Sequence, residues 1–409
     1  MVGRQKTRNL SAVLLGAGAL ALTSMMVIPV SAQTNDPIKL ALAIDLTGAF
    51  EEAARQTHIG IMLGLEYATG GTMEVAGHPI EVSVKDTALK ADLARSGLAE
   101  AFGDEGADIA VGGTGSSQAL AMAPVAAEYQ KVLFVEGGVA DEITGSGWNP
   151  YVFRVSRSAG QDAVANARAI ATEGTSVATL AFDYSAGRST IDALRTELED
   201  IGANLVLEEY AAADSIDFTA AGLKLFEALS KVDGDRVIWV NWFGPVNPVP
   251  QLERMSAGYP GIRLATYGNT FSYMKSFRGL EGMEGATAYY YDIVSNPVND
   301  WLVEQHEAVY NGPPDMFVAS AFATAIAIVR GLEKTNGDPS ADVLIPALEG
   351  MSFDTPKGEM IIRKEDHQAM QDMYHFKTVV DPDVLWGVPK LVRVIPKEEL
   401  NIPIHTTAQ

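Results

Sequence analysis

The residues best placed to do chemistry stand in one short loop. Gly112-Gly113-Thr114-Gly115-Ser116-Ser117 follows the apolar run Ala107 to Val111 and precedes a helical pattern from Gln118 to Tyr129. Glycines let a backbone approach a ligand, and the hydroxyls of Ser116 and Ser117 are donors. A helix N-terminus adds free N–H groups and the positive end of a dipole. Together these suit an anion or a carboxylate. A dinucleotide-binding turn occupies the same kind of place, but Gln118 stands where its third glycine belongs. A tight turn that only starts a helix is the plainer alternative. Elsewhere catalytic patterns are missing. The histidines at 58, 78, 306, 367, 375 and 405 show no compact metal-ligand spacing, and there is no Gly-x-Ser-x-Gly elbow or Gly-x4-Gly-Lys-Ser/Thr phosphate loop. No catalytic residue, metal or cofactor is expected.

Composition narrows the partners. With 30 Lys+Arg against 52 Asp+Glu the formal charge is −22, which speaks against binding to phosphate backbones, where clustered cations are needed. No cysteine occurs among the 409 residues, so disulfides, zinc-thiolate sites, iron-sulfur clusters and a cysteine nucleophile are excluded. Residues 1–32 read as a cleavable secretory signal: Arg4, Lys6 and Arg8, an apolar run from Leu10 to Val30, then Val30-Ser31-Ala32. A retained anchor is the rival reading, since the run approaches spanning length. Cleavage after Ala32 leaves an exported chain. Within it Ala319 to Val329 is apolar but too short to span a bilayer, so no membrane-spanning segment is expected after cleavage.

From Ile38 strands alternate with helices. Ile38 to Leu46 is a nearly continuous apolar run, as in a strand buried on both faces, followed by helical spacing over residues 51–68. Strands at 80–84, 107–111 and 132–135 alternate with helices at 92–102 and 118–129. The pattern restarts with helices at 162–172, 189–201 and 220–229, between strands at 176–182, 205–209, 237–240 and 262–266. A run of tyrosines (289–291), helices at 299–310 and 316–334 and hairpin-like strands over 357–394 complete the chain. This is an α/β protein of two units, each a parallel sheet covered by helices.

These pieces resemble the leucine/isoleucine/valine-binding family, the type I periplasmic solute-binding proteins of ABC importers. The likeness is carried by IKLALAIDLTG (38–48), AVGGTGSS (110–117), VEGGVADEIT (135–144), VFRVSR (152–157), DYSAGRS (183–189) and KGEMIIRKEDHQAMQDMY (357–374). It implies a two-lobed fold with a ligand cleft between the lobes, closing by a hinge motion. By this likeness the N-terminal lobe takes 33–154 and 285–356, the C-terminal lobe 155–284 and 357–395, and residues 396–409 form a tail.

The resemblance also implies site residues. Ser116, with Ser117 beside it, takes the place of a serine that holds a ligand carboxylate. Gly137 matches a backbone donor, but Val139 replaces the threonine that completes the cradle. Trp242 or Phe243 matches an aromatic that packs on the ligand. Where amino-acid-binding members carry a glutamate for the ligand's amine, the turn 267–271 offers Asn269. A buried ammonium without a carboxylate partner is costly, so a plain amino acid is disfavoured unless Glu136 turns inward. Phe50, Tyr184 and Phe271, with the two aromatics above, are candidates to line a pocket for an aromatic or apolar solute. Arg154 and Arg157 stand near a lobe crossing, where a ligand carboxylate and a structural ion pair remain open. The expected protein is a monomeric periplasmic receptor. It captures a small organic solute and delivers it to a membrane permease, with no nucleic-acid partner. A sensor of the same fold and an envelope hydrolase are the alternatives.

Overall fold

The computed structural model describes residues 35–404 apart from 213, 245 and 269. The candidate signal segment and Asn269 therefore lie outside the described residues. The first sheet is built from β1 (Ile38–Ile44), β2 (Glu74–Val75), β3 (His78–Asp86), β4 (Ile109–Gly112), β5 (Val132–Val135) and β6 (Val152–Arg154), in the order β2-β3-β1-β4-β5-β6. Apart from the antiparallel β2–β3 pair its strands are parallel. Helices α1 (Glu51–Ala68), α2 (Ala91–Gly103) and α3 (Ser116–Tyr129) make its crossovers.

The second unit opens with α4 (Ala159–Ile170). Strands β7 (Ser176–Phe182), β8 (Asn204–Ala211), β9 (Arg236–Asn241), β10 (Ile262–Thr266) and β11 (Glu284–Thr287) follow, with α5 (Ser185–Ile201), α6 (Thr219–Leu229), α7 (Val249–Ser256) and the short α8 (Phe271–Met274) between them. The chain then returns to the first unit with α9 (Pro297–Tyr310), α10 (Met316–Lys334) and α11 (Ala341–Leu348). A small antiparallel sheet of β12 (Ser352–Thr355), β13 (Gly358–Ile362) and β14 (Ala369–Met370) comes next. Finally β15 (Met373–Val379) and β16 (Val388–Ile395) complete the second sheet, whose order is β16-β15-β11-β10-β9-β7-β8.

The lobes exchange chain at three places: Val155–Ser158, the stretch after Thr287, and Gln371–Asp372. The third crossing comes later than the position 357 expected from sequence. Strand β13 pairs with β12, and its Met360 and Ile362 are buried in the first core. Likewise β11, at 284–287, joins the second sheet beside β10 and β15, although residues from 285 onward were expected in the first lobe.

The first core depends on close contact between α1 and α10. A side chain at Gly60 would meet the Val318 carbonyl oxygen at 2.3 Å, and one at Gly64 would meet the Phe322 carbonyl oxygen and the Ala325 Cβ at 2.7 Å. The two glycines, four residues apart, form one face on which α10 lies. Helix α10 has 19 residues and is long and apolar enough to cross a membrane, more than the stretch 319–329 suggested, but it is buried as the central helix of this core. Gly64→Ala is expected to destabilise the protein by about 1–3 kcal/mol, since overpacking forces backbone shifts. A chemical-denaturation curve measures this, and an unchanged midpoint would refute the account of the α1–α10 contact.

Candidate functional site

In parallel sheets a ligand sits beyond the carboxyl ends of the strands. In this chain the loops after β1, β4 and β5 meet those after β7 and β9 there. A groove of about 720 Å³ on the outside of the first lobe, lined by Tyr67, Arg330, Phe353 and Glu359, lies near the far end of α10 and away from these loops.

The loop after β4 is tighter than its sequence suggests. Helix α3 begins at Ser116, not Gln118. The Ser116 Oγ is buried and accepts the backbone N–H groups of Val139 (3.2 Å) and Ala140 (3.1 Å). Ser116 thus ties the β4 loop to the β5 loop. Gly137 makes this possible: its φ is +105°, and a side chain there would meet the Thr114 backbone at 2.9 Å. Val139 turns its side chain to the second lobe's core. Ser117 is exposed and accepts a hydrogen bond from the Tyr184 hydroxyl of the second lobe at 3.3 Å.

The aromatics divide by position. Phe50, before α1, meets Phe243, after β9, edge to face with centroids 5.2 Å apart, so this pair joins the two lobes. Phe271 stacks on Trp386 at 4.3 Å and stands edge-on to Tyr290 and Tyr291. Trp242 does not share this setting. It is fully buried in the second core, 4.9 Å from Phe218 and 6.4 Å from Phe182, both edge-on, and its carbonyl accepts the Tyr267 hydroxyl. Trp242 belongs to the same side of β9 as Ile238 and Val240.

The charged candidates near the crossings are bonded within the protein. Glu136 turns inward and is completely buried; its Oε2 accepts the Thr324 hydroxyl at 2.8 Å. Burial pushes its carboxyl upward, and the charges of Lys357 and Arg157 counter that. Lys357 is equally buried and donates to Gln371 Oε1 at 2.6 Å; burial pushes its ammonium down. Arg157 pairs with Asp162 at 2.8 Å. Arg154 donates to the Ala140 carbonyl (2.7 Å), to Thr144 Oγ1 (2.8 Å) and to Gln368 Oε1. Every nitrogen of the Arg154 guanidinium is thus bonded within the protein, while Arg157 engages Asp162 through Nε.

Sequence reasoning missed Asp315, the N-cap of α10. Its Oδ1 accepts the Met316 N–H at 2.8 Å, while Oδ2 accepts the Phe271 N–H at 2.9 Å and Gln56 Nε2 at 3.3 Å. An aspartate just before a long apolar run was the available signal. Among the described residues no group of three metal-ligating side chains comes together.

Two lobes joined by three crossings, with loops of both meeting at their strand ends, define a receptor that closes on a small molecule. The sequence profile of the Periplasmic binding protein family matches residues 37–381, and the chain belongs to that family. A crystal structure of an ABC-type branched-chain amino acid transporter from Rhodopseudomonas palustris CGA009 is 49% identical, with a TM-score of 0.85 over 90% of this chain and 100% of that one. The leucine-, isoleucine-, valine-, threonine- and alanine-binding protein of Pseudomonas aeruginosa is 23% identical over 331 residues, 80% of this chain and 85% of its own. A solute-binding protein of an ABC transporter from R. palustris BisB5, in complex with 3,4-dihydroxybenzoic acid, shares the fold at 22% identity and a TM-score of 0.74, over 89% and 98% of the two chains. The chain is a periplasmic-type solute-binding protein of an ABC transport system.

Two outcomes test this geometry. Trp242→Ala is expected to cost about 3–5 kcal/mol of stability, as for a buried aromatic. A melt that leaves the midpoint unchanged would return Trp242 to the cleft wall. Burial raises Asp315 to about 6, above its ordinary 3.8. Ionising it therefore costs the fold: its contribution is fully present below about pH 4 and is lost as pH rises through about 6. The ceiling is about 3 kcal/mol for a shift of about two units. Asp315→Asn should gain on the unsubstituted protein in paired melts between pH 4 and 7.5, and a constant difference would contradict the assignment.

Proposed function

We propose that the protein captures a small organic solute with an aromatic or apolar body and a carboxylate end, without changing it chemically, and delivers it to a membrane permease. The observation that carries this reading is the Phe50–Phe243 contact across the lobes, beside the Tyr184–Ser117 hydrogen bond. Aromatic edges from opposite lobes make an apolar boundary that closes when the lobes close. For the polar end, the first turn of α3 offers helix N-terminal N–H groups beside Ser117, whose hydroxyl donates to Gln118 Oε1 at 3.0 Å.

The charge balance favours an acid over an amino acid. The Glu136 carboxylate accepts from Thr324 through Oε2 and stands in the field of Lys357 and Arg157, which already supply positive charge beside it, while its buried Oε1 is without a partner. Relatives of the same fold carry 3,4-dihydroxybenzoic acid, p-hydroxybenzoic acid and benzoate, which are planar acids without an amine. The branched-chain amino acid relatives point instead to an apolar body with an amine, and a panel of ligands separates the two.

A thermal-shift screen of residues 33–409 against benzoate, hydroxybenzoates, short aliphatic acids, leucine and valine tests the proposal. A solute at about a hundred times its dissociation constant should stabilise by about 2.7 kcal/mol. Acids are expected to shift the midpoint more than amino acids, and Phe243→Ala is expected to weaken the best hit at least tenfold. Hits confined to leucine and valine would overturn the ligand class; no loss in Phe243→Ala would overturn the site.

A further inference from the structure

We infer that Asp315 is an interlobe latch, holding the Phe271 backbone of the second lobe from its place in the first and so positioning the closed form. Helix α10, which Asp315 caps, is the central helix of the first core. Gln56, on α1, belongs to the same lobe and is fixed in turn by Glu52 Oε1 at 2.9 Å. Phe271 begins α8, whose Met274 is buried in the second core, and its own ring packs against that core. Two of the three bonds to this carboxylate therefore move with one lobe, while the third, at 2.9 Å, joins the other.

The setting separates this bond from the other polar contacts across the lobes: the Ser189 hydroxyl also donates to a carboxylate, that of Asp141 at 3.0 Å, but Asp141 is only half-buried. Asp315 is 7% exposed, whereas the Tyr184–Ser117 bond lies between exposed residues. Hydrogen bonds to charged groups are stronger than neutral ones, and breaking this one leaves a buried carboxylate with a partner missing until water reaches it. The latch also fixes an aromatic group. The backbone that Asp315 holds carries the Phe271 ring, stacked on Trp386. Asp315 is thus a positioning residue: it sets where the Phe271 cluster stands when the lobes meet.

A merely structural role as an N-cap is separable from the latch. Serine and threonine cap helices nearly as well as aspartate, but their side chains are one atom shorter and do not reach a second lobe. The chain lacks cysteine, so labels at Ala49→Cys and Val246→Cys, both exposed and on loops of opposite lobes, report the interlobe distance by pulsed electron paramagnetic resonance. Asp315→Ser and Asp315→Thr are expected to fold, to add a longer-distance population and to raise the Phe271 amide exchange rate about tenfold or more. Unchanged distance distributions and unchanged Phe271 exchange in a folded variant would overturn the latch. So would faster exchange confined to Met316 and the first turn of α10, which is the mark of a lost cap alone.

Discussion

The guanidinium of Arg154 is the interaction on which the two-lobed arrangement rests. It is 1% exposed at the end of β6, where the chain leaves the first sheet. A buried cation is costly unless every donor is answered. Its donors go to the Ala140 carbonyl and Thr144 in the loop after β5, and to Gln368 before the third crossing. Gln368 in turn donates to the Ser156 carbonyl, while Gln161 of α4 donates to the Ala369 carbonyl. Burial lowers Arg154 to about 10, so it stays charged near neutral pH. Removing it would strand acceptors in the loop after β5 and on Gln368, the residue that in turn holds the Ser156 carbonyl of the first crossing.

That network explains why the hinge can be narrow without being loose. The second crossing is drawn in through Gln371, which donates to the Ala288 carbonyl and accepts from Lys357, and Tyr374 donates to the Lys357 carbonyl. The bonds of Gln368 to Arg154 and Ser156, of Gln161 to Ala369 and of Gln371 to Ala288 join residues far apart in sequence, so the stretches crossing between lobes are bound to one another. Lobe motion is then confined to a bend about this polar bundle, and the loops at the strand ends swing as units. Within each unit the small residues matter: Ser116 and Gly137 lock the β4 and β5 loops together, so the first lobe presents one rigid wall.

Much of this was legible in the sequence. Buried parallel strands announce themselves as apolar runs, and the turns at Thr47-Gly48 and Gly112–Ser117 mark where helices begin. Short elements did not declare themselves: α7 has eight residues, and α11 has eight with Pro346 inside. The late third crossing was hidden because β13 looks like any hairpin strand; the burial of its Met360 and Ile362 in the first core, beside its partner β12, assigns it to the first lobe. Trp242 shows the same limit at the site. Trp242 continues the face of Ile238 and Val240 and is enclosed by Phe218 and Phe182, whereas Phe243, at the rim of the same core, reaches Phe50. Both faces of β9 are buried, so strand alternation alone does not separate them. Glu136 lies two residues beyond Phe134 and, like it, turns toward the first core, where Thr324 meets it. Asp315 was visible as a cap, but its bond to Phe271 crosses from one lobe to the other, which no local pattern encodes.

The energetics of closure follow from the contacts the lobes share: the Phe50–Phe243 pair, the carboxylate bonds of Asp315 to the Phe271 N–H and of Asp141 to the Ser189 hydroxyl, and the Tyr184–Ser117 hydroxyl pair. An edge-to-face aromatic pair contributes about 0.5–1.5 kcal/mol, a charged hydrogen bond about 1.5–3, and an exposed hydroxyl pair less than about 1. Against these stands the desolvation of the Asp315 carboxylate, whose raised pKa shows that its burial is incompletely compensated. A ligand needs about 5.5 kcal/mol of preference for the closed form to reverse a hundredfold imbalance, which is within reach of a small molecule buried between two walls. A latch much stronger than Asp315 would close the lobes without a solute and block its entry. A much weaker one would leave the Phe271 cluster unplaced when the solute arrives. A single, imperfectly compensated buried carboxylate lies between these limits.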